Sequence, residues 1–130
     1  MWLMDHQMNM TVSEEFGQYF VRLPLKKSAT IVHGNALRVD WETIVPKTKL
    51  NYILGNPPFY GSKLQSKEQR EDLANVFGGV KDAKIMDYVS AWYIKSAKYI
   101  QNANIRVGFV STNSITQGEQ VSVLWSEMFN

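Results

Sequence analysis

The chain has no cysteine among its 130 residues. That excludes disulfides, thiolate zinc sites and thiol nucleophiles. It has no apolar run near the roughly 20 residues that span a bilayer, so no membrane partner is expected. The opening residues, Met1-Trp2-Leu3-Met4-Asp5-His6, lack a basic stretch ahead of an apolar one, which excludes a secretory signal there. Charge of one sign is scarce as well. Fourteen Lys+Arg against 12 Asp+Glu leave a formal +2, too little by itself to identify a nucleic-acid partner. The two histidines, His6 and His33, are too few and too far apart for a metal pair, and no metal is expected. No Gly-x-Ser-x-Gly elbow surrounds Ser111 or Ser114, so these serines with His33 and Asp40 make no hydrolase triad. Repeats, low-complexity tracts and Pro/Gly/Ser linkers are absent too.

What is there suits one ordinary domain over residues 1–130. Hydrophobic residues make up 45% and charged residues 20%, the balance of a chain that buries a core. A soluble cytoplasmic protein is the default reading. Leu3, Met4 and Met8 fall near helical spacing, so residues 1–10 read as a helix. Thr11, or Ser13 with Glu14 and Glu15 behind it, can open a second short helix through Tyr19, which Pro24 ends. Three short β-branched or aromatic runs read as strands near 29–33, 50–55 and 106–111. Between the last two, Tyr88, Val89, Trp92, Tyr93, Ala97 and Ile100 recur at three- and four-residue steps, a helix over about 86–100. Asn102-Ala103-Asn104 reads as the turn after it, and residues 122–129 as a last helix in which Trp125 is expected to be unusually exposed. Residues 61–84 are polar and read as a mobile loop with one short helix at 66–75. Strands alternating with helices predict an α/β fold, a parallel sheet covered on both faces.

One string carries chemistry: Gly55-Asn56-Pro57-Pro58-Phe59-Tyr60-Gly61, directly after an apolar strand. Two successive prolines set φ and remove two backbone donors. The carbonyls of Asn56 and Pro57 are then held in a stiff turn without a local partner, and the Asn56 side-chain oxygen is a further acceptor. Phe59 adds a flat apolar face. Acceptors beside an aromatic plate suit a planar heterocycle with an exocyclic amine: the amine donates and the ring stacks. The plain alternative is a proline turn that only ends a strand. Its position at the C-terminal end of a strand favours a ligand, because open α/β sheets bind ligands there.

Asn56-Pro57-Pro58-Phe59 resembles catalytic motif IV of the amino-methyltransferases that use S-adenosylmethionine. The longer string, with Ser62-Lys63 behind it, is similar to the N6-adenine DNA methyltransferases of the large bacterial restriction–modification type. Ile31-Val32-His33-Gly34-Asn35-Ala36-Leu37 is similar to their motif III, Asp87-Tyr88-Val89-Ser90-Ala91-Trp92-Tyr93 to motif V, and the segment from Val107 to Ser114 to motif VI. The resemblance covers roughly residues 29–125. It implies a Rossmann-like class I methyltransferase sheet and direct transfer of a methyl group to a flipped adenine in DNA. It further implies that Asn56 and the Pro57 carbonyl hold the target amine, with Pro58 stiffening the turn and Phe59 stacking on the base. Asn35, Ala36 and Leu37, with Asn56, would meet the cofactor. Asn35 stands where many relatives carry an acidic residue. Tyr60, Lys63, Lys67 and Arg70 would face DNA, although a merely solvated polar loop explains the three cations as well.

The family's glycine-rich cofactor turn has no counterpart here, since Gly78-Gly79 follows no strand, and a target-recognition domain is not recognisable either. The chain is therefore expected to be an internal piece of a methyltransferase, covering motifs III to VI. It would need the remaining N- and C-terminal parts of its polypeptide, and alone it would be inactive and prone to self-association. Two other readings stay open. Guanine-N2 RNA methyltransferases and protein-glutamine methyltransferases share the motif, and a catalytically inactive nucleic-acid-binding fragment is the non-enzyme alternative.

Overall fold

A computed structural model of the chain describes residues 2–17 and 29–129. It divides into two compact units, residues 1–31 and residues 32–130. The described part of the first unit is one helix, α1 (Trp2–Phe16). Thr11 and Ser13 continue it rather than opening a new one. Their hydroxyls fold back onto the carbonyls of Gln7 and Asn9, at 3.0 and 2.7 Å, so they add no break. Gly17 ends the helix with φ 62°, and its N–H reaches the Ser13 carbonyl at 3.0 Å. The expected continuation through Tyr19 to Pro24 lies outside the described residues.

The second unit carries the α/β pattern. In chain order it holds α2 (Trp41–Ile44), β1 (Tyr52–Gly55), α3 (Lys67–Phe77), α4 (Ser90–Ile100), β2 (Arg106–Phe109) and α5 (Gln120–Phe129). Short 3-10 turns link them at 47–49, 62–64, 83–85 and 113–116. Strands β1 and β2 pair in parallel in the register Tyr52↔Arg106, Ile53↔Val107, Leu54↔Gly108 and Gly55↔Phe109. Helix α4 lies between them in sequence, as a parallel crossover requires. The turn after it forms where expected, with Asn102 at φ 59° and Ala103 N–H on the Ile100 carbonyl at 3.0 Å.

Three expectations need correction. Residues 29–33 form no strand, and Ile31 is 89% exposed. A β-branched run becomes a strand only where a neighbour takes its backbone groups, and no described strand lies beside this one. Second, residues 61–84 hold more order than a loop with one short helix: the helix expected at 66–75 forms as α3, and 3-10 turns stand on either side of it at 62–64 and 83–85. Ser66 and Gln69 form a reciprocal capping box at 3.2 and 2.8 Å, which starts α3. Leu73 and Phe77 anchor the helix in the core, and Gly78, at φ 63°, ends it. Third, Trp125 is half-buried; it stacks near Phe129, and its indole N–H donates to the Ile115 carbonyl at 3.1 Å.

The core lies where α3, α4 and α5 meet. Leu73, Phe77, Met86, Val89, Ala91, Ile94 and Leu124 are buried there, with Leu37 and Ile115 beside them. The buried face of α4 is therefore Ser90, Ala91 and Ile94, with Trp92 and Tyr93 at its margin. The sheet is covered on one face only among the described residues. On the other, Leu54 is 78% exposed and Tyr52 is exposed too. An apolar strand with an open edge and an open face favours association. The 130-residue chain alone is expected to associate as its concentration rises, and Leu54→Lys to shift it toward monomer. Analytical ultracentrifugation checks this, and identical monomeric sedimentation of both would count against it.

Candidate functional site

Strand β1 delivers Asn56-Pro57-Pro58-Phe59 at its C-terminal end. The last ladder bond, Val110 N–H to the Gly55 carbonyl at 3.0 Å, lies immediately before Asn56. A Cβ at Gly55 would come within 3.2 Å of the Phe109 ring, a tight approach that the ring would have to relieve by shifting. That ring packs edge-on against Tyr93, centroids 5.3 Å apart. At the other end of the motif, Tyr88 N–H donates to the Tyr60 carbonyl at 2.8 Å, and the Gln65 amide reaches the same oxygen at 3.2 Å. Between these two pins, no donor among the described residues reaches the Asn56 side chain or the carbonyls of Asn56 and Pro57. Pro57 is buried, whereas Asn56 and Pro58 are exposed and Phe59 is 43% exposed.

A cavity of about 350 Å3 opens at this strand end. Asn56, Pro57 and Pro58 line it together with Ala36, Trp41, Trp92 and Phe109. The structure thus brings the turn after residues 31–34 and the proline motif to one space, although they lie about 20 residues apart. Phe59 does not line the cavity; its ring stands at the surface.

The turn at 35–39 is held by bonds the sequence did not reveal. Asn35 Oδ1 accepts from Leu37 N–H at 2.9 Å, and the Asn35 carbonyl accepts from the N–H groups of Arg38 and Val39. Asn35 Nδ2 donates to Asp72 Oδ2 at 2.9 Å. Asp72 sits on α3, only 3% exposed, and also accepts from the Tyr88 hydroxyl at 2.9 Å and Arg38 Nε at 2.7 Å. Lys95 on α4 donates to the carbonyls of Leu37 and Val39 at 2.8 and 2.6 Å and lies over the Trp41 ring. Trp41 Nε1 donates to the Ala36 carbonyl at 2.8 Å. Leu37 itself is a core residue; its backbone, not its side chain, shapes the turn. The trace of Asp72 in the sequence is its place on the apolar stripe Gln69, Asp72, Leu73, Val76 and Phe77, where an unpaired charge would be costly.

These contacts set the ionisation of the cluster. Burial pushes the Asp72 carboxyl up, but the bonds from Arg38, Tyr88 and Asn35 together outweigh it and hold the group below its usual range. Burial, then the bond to Asp72, pushes the Tyr88 phenol up to about 12. Burial lowers the Lys95 ammonium, opposed by Asp40.

The cations expected to face DNA do not all converge. Lys63 and Arg70 line a second surface cavity, of about 620 Å3, together with Lys84. The Lys67 side chain is 93% exposed and stands 4.0 Å from Glu71 on the next turn of α3. Tyr60 is exposed beside the motif. Among the described residues, no group of three His, Asp or Glu side chains is placed to hold a metal ion.

A strand end carrying carbonyl acceptors, an exposed aromatic ring and a neighbouring Asn-led turn is the arrangement that the resemblance to the amino-methyltransferases implies. The family model for the DNA-methyltransferase domain of MmeI matches residues 1–130, and the chain belongs to that family. It is 47% identical, over 99% of its length, to DNA methyltransferase A of Bacillus subtilis strain 168, and spans about 15% of that protein. Among solved structures it is similar to the type IIL restriction-modification enzyme MmeI in complex with DNA. The identity there is 56%, the TM-score 0.84, and the match covers 98% of this chain and 17% of that one.

The buried carboxylate supplies a test by stability. Asp72→Ala leaves the Asn35 amide and the buried Tyr88 hydroxyl without their acceptor and is expected to cost about 2–3 kcal/mol. Because the folded carboxyl lies below its ordinary 3.8, its contribution is complete above that value and is lost as pH falls through the folded one. The Tyr88 contribution has the opposite sign: it is complete below 10.0 and is lost as pH rises through about 12. Denaturant unfolding across pH 2–6 should show the acid loss in the natural protein and not in Asp72→Asn.

Proposed function

We propose that this chain is the catalytic part, spanning motifs III to VI, of a longer DNA methyltransferase that transfers a methyl group from S-adenosylmethionine to the N6 amine of a flipped adenine. Its work on DNA would then belong in the bacterial cytoplasm. The observation that carries the reading is the proline motif. It presents carbonyl acceptors that no donor among the described residues reaches, beside a cavity that Ala36 of the neighbouring turn also lines.

The residues present suit the adenine end of the cofactor and the target base. Trp41, Trp92 and Phe109 give the cavity aromatic walls, Asn56 lines it with a neutral amide, and Asn35 directly precedes Ala36, which lines it too. When bound, S-adenosylmethionine supplies an electrophilic methyl carbon on a sulfonium. Asn56 Oδ1 and the Pro57 carbonyl accept the two N–H bonds of the target amine, which turns the nitrogen lone pair outward for in-line attack. Phe59 stacks on the extrahelical base, for which its half-exposed ring is free. Asn35, with the backbone of Ala36 and Leu37, borders the cofactor. Tyr60, Lys63, Lys67 and Arg70 lie toward the DNA, and the shared cavity of Lys63 and Arg70 supports phosphate contact for those two. No described helix is long and apolar enough to cross a membrane.

In the full-length protein, Asn56→Ala is expected to lower methyl transfer about a hundredfold, the usual value of one preorganised acceptor or donor in a transition state. Tritiated-methyl transfer to DNA, with RNA and protein arms beside it, reads both the rate and the acceptor; a near-natural rate would remove Asn56 from the chemistry. Phe59→Ala is expected to weaken binding of DNA with an extrahelical adenine by about 1–3 kcal/mol, while Phe59→Tyr retains it. Fluorescence anisotropy measures both.

A further inference from the structure

We infer that Asp72 is a positioning residue for cofactor recognition: it sets the direction of the Asn35 amide, so that Oδ1 and not Nδ2 is the group offered to an adenine 6-amine. The inference rests on the reading of Asn35 as cofactor-facing.

A side-chain amide has an acceptor end and a donor end of nearly the same shape, so its direction is decided by its neighbours. At Asn35 both neighbours agree. An ionised Asp72 accepts only, and its Oδ2 lies 2.9 Å from Asn35 Nδ2. Leu37 N–H donates only, and lies 2.9 Å from Oδ1. Turning the amide over would set oxygen against carboxylate and N–H2 against N–H. The carboxylate is itself held in place, because Arg38 Nε takes Oδ1 and the Tyr88 hydroxyl shares Oδ2. One lone pair of Asn35 Oδ1 then remains beside Ala36, which lines the cavity.

The same geometry explains why an acid does not stand at position 35. An Asp there would bring a second carboxylate to the place of Nδ2, 2.9 Å from Oδ2 of the buried Asp72. The neutral acceptor at 35 and the charged residue at 72 are therefore one paired choice.

Asp72→Asn tests this in a defined way. Arg38 donates only, so it keeps an oxygen at the Oδ1 position and drives the new NH2 to the Oδ2 position. A donor then faces Asn35 Nδ2, while the Leu37 N–H still opposes a turned amide, so neither direction of the Asn35 amide is fixed any longer. Calorimetry on the full-length protein would compare S-adenosylhomocysteine with S-inosylhomocysteine, which carries a 6-oxo group in place of the amine. The natural protein is expected to prefer the amine about a hundredfold, because the oxo compound sets acceptor against acceptor. Asp72→Asn is expected to lose roughly tenfold or more of that preference. In the double variant Asn35→Asp with Asp72→Asn, carboxylate and amide exchange places, and the preference should return. Asn35→Asp alone should melt lower than the double variant.

The failures separate. A natural protein without preference for the amine overturns the placement of Asn35 at the cofactor. A natural protein with the preference and an Asp72→Asn variant that keeps it in full overturns the role of Asp72 alone. Should Asp72→Asn fail to fold, the double variant decides: restored folding with the amine preference supports the pairing, and no rescue overturns it.

Discussion

A carboxylate buried to 3% exposure on α3 is the constraint on which the site depends. Taking a charge out of water costs several kcal/mol unless it is fully hydrogen-bonded. Asp72 meets that condition with three donors drawn from two other parts of the chain: Asn35 and Arg38 in the turn, and Tyr88 ahead of α4. The cost of leaving any of them out ties the segments together more strictly than apolar packing does, since packing tolerates small slides and a bonded carboxylate does not. Helix α3, which touches neither the proline motif nor its cavity, thereby holds the turn that borders both.

Lys95 repeats the device from the other side. Its ammonium is bound by the carbonyls of Leu37 and Val39 and covered by Trp41, so it neutralises a turn whose carbonyls converge. Trp41 in turn bonds the Ala36 carbonyl. The segment 35–40, without regular structure, is thus fastened at Asn35, Ala36, Leu37, Arg38 and Val39, with Trp41 at the start of α2 closing it. Loops serve recognition when a rigid scaffold holds them, and here the scaffold is the buried carboxylate on α3 and the half-buried ammonium on α4.

Much of this arrangement was legible in the sequence, and the remainder has a physical reason for being hidden. The strands at 52–55 and 106–109, the helix between them and the proline motif all declare themselves locally, by β-branched runs, helical spacing and rare residues. The run at 29–33 has the same local signal and forms no strand, because pairing is a property of two segments and not of one. Helix α3 was legible to within two residues of its observed bounds, although its setting reads as a loop. Its outward residues are charged enough to resemble a loop, and the signs of order are the pair Ser66 and Gln69 and the stripe that carries Asp72. The partners of Asp72 lie 16, 34 and 37 residues away, a separation at which no spacing rule links them.

The proline motif gains its chemistry from being held at both ends and left free in the middle. Its first carbonyl, that of Gly55, is spent on the last ladder bond, and its last, that of Tyr60, on Tyr88 and the Gln65 amide. Prolines at 57 and 58 supply stiffness without donors, so order is bought there without the hydrogen bonds that would occupy the acceptors. An alanine pair in their place would return two N–H groups to the turn and give its carbonyls local partners. The free acceptors are thus a consequence of backbone chemistry rather than of side-chain placement. The same region that makes the turn rigid also leaves Phe59 at the surface, because a stiff extended turn cannot fold its aromatic ring back into the core. Tyr88 joins the two halves: its N–H anchors the end of the proline motif, and its hydroxyl anchors Asp72. One residue therefore ties the end of the proline motif to the carboxylate that holds the turn of Asn35.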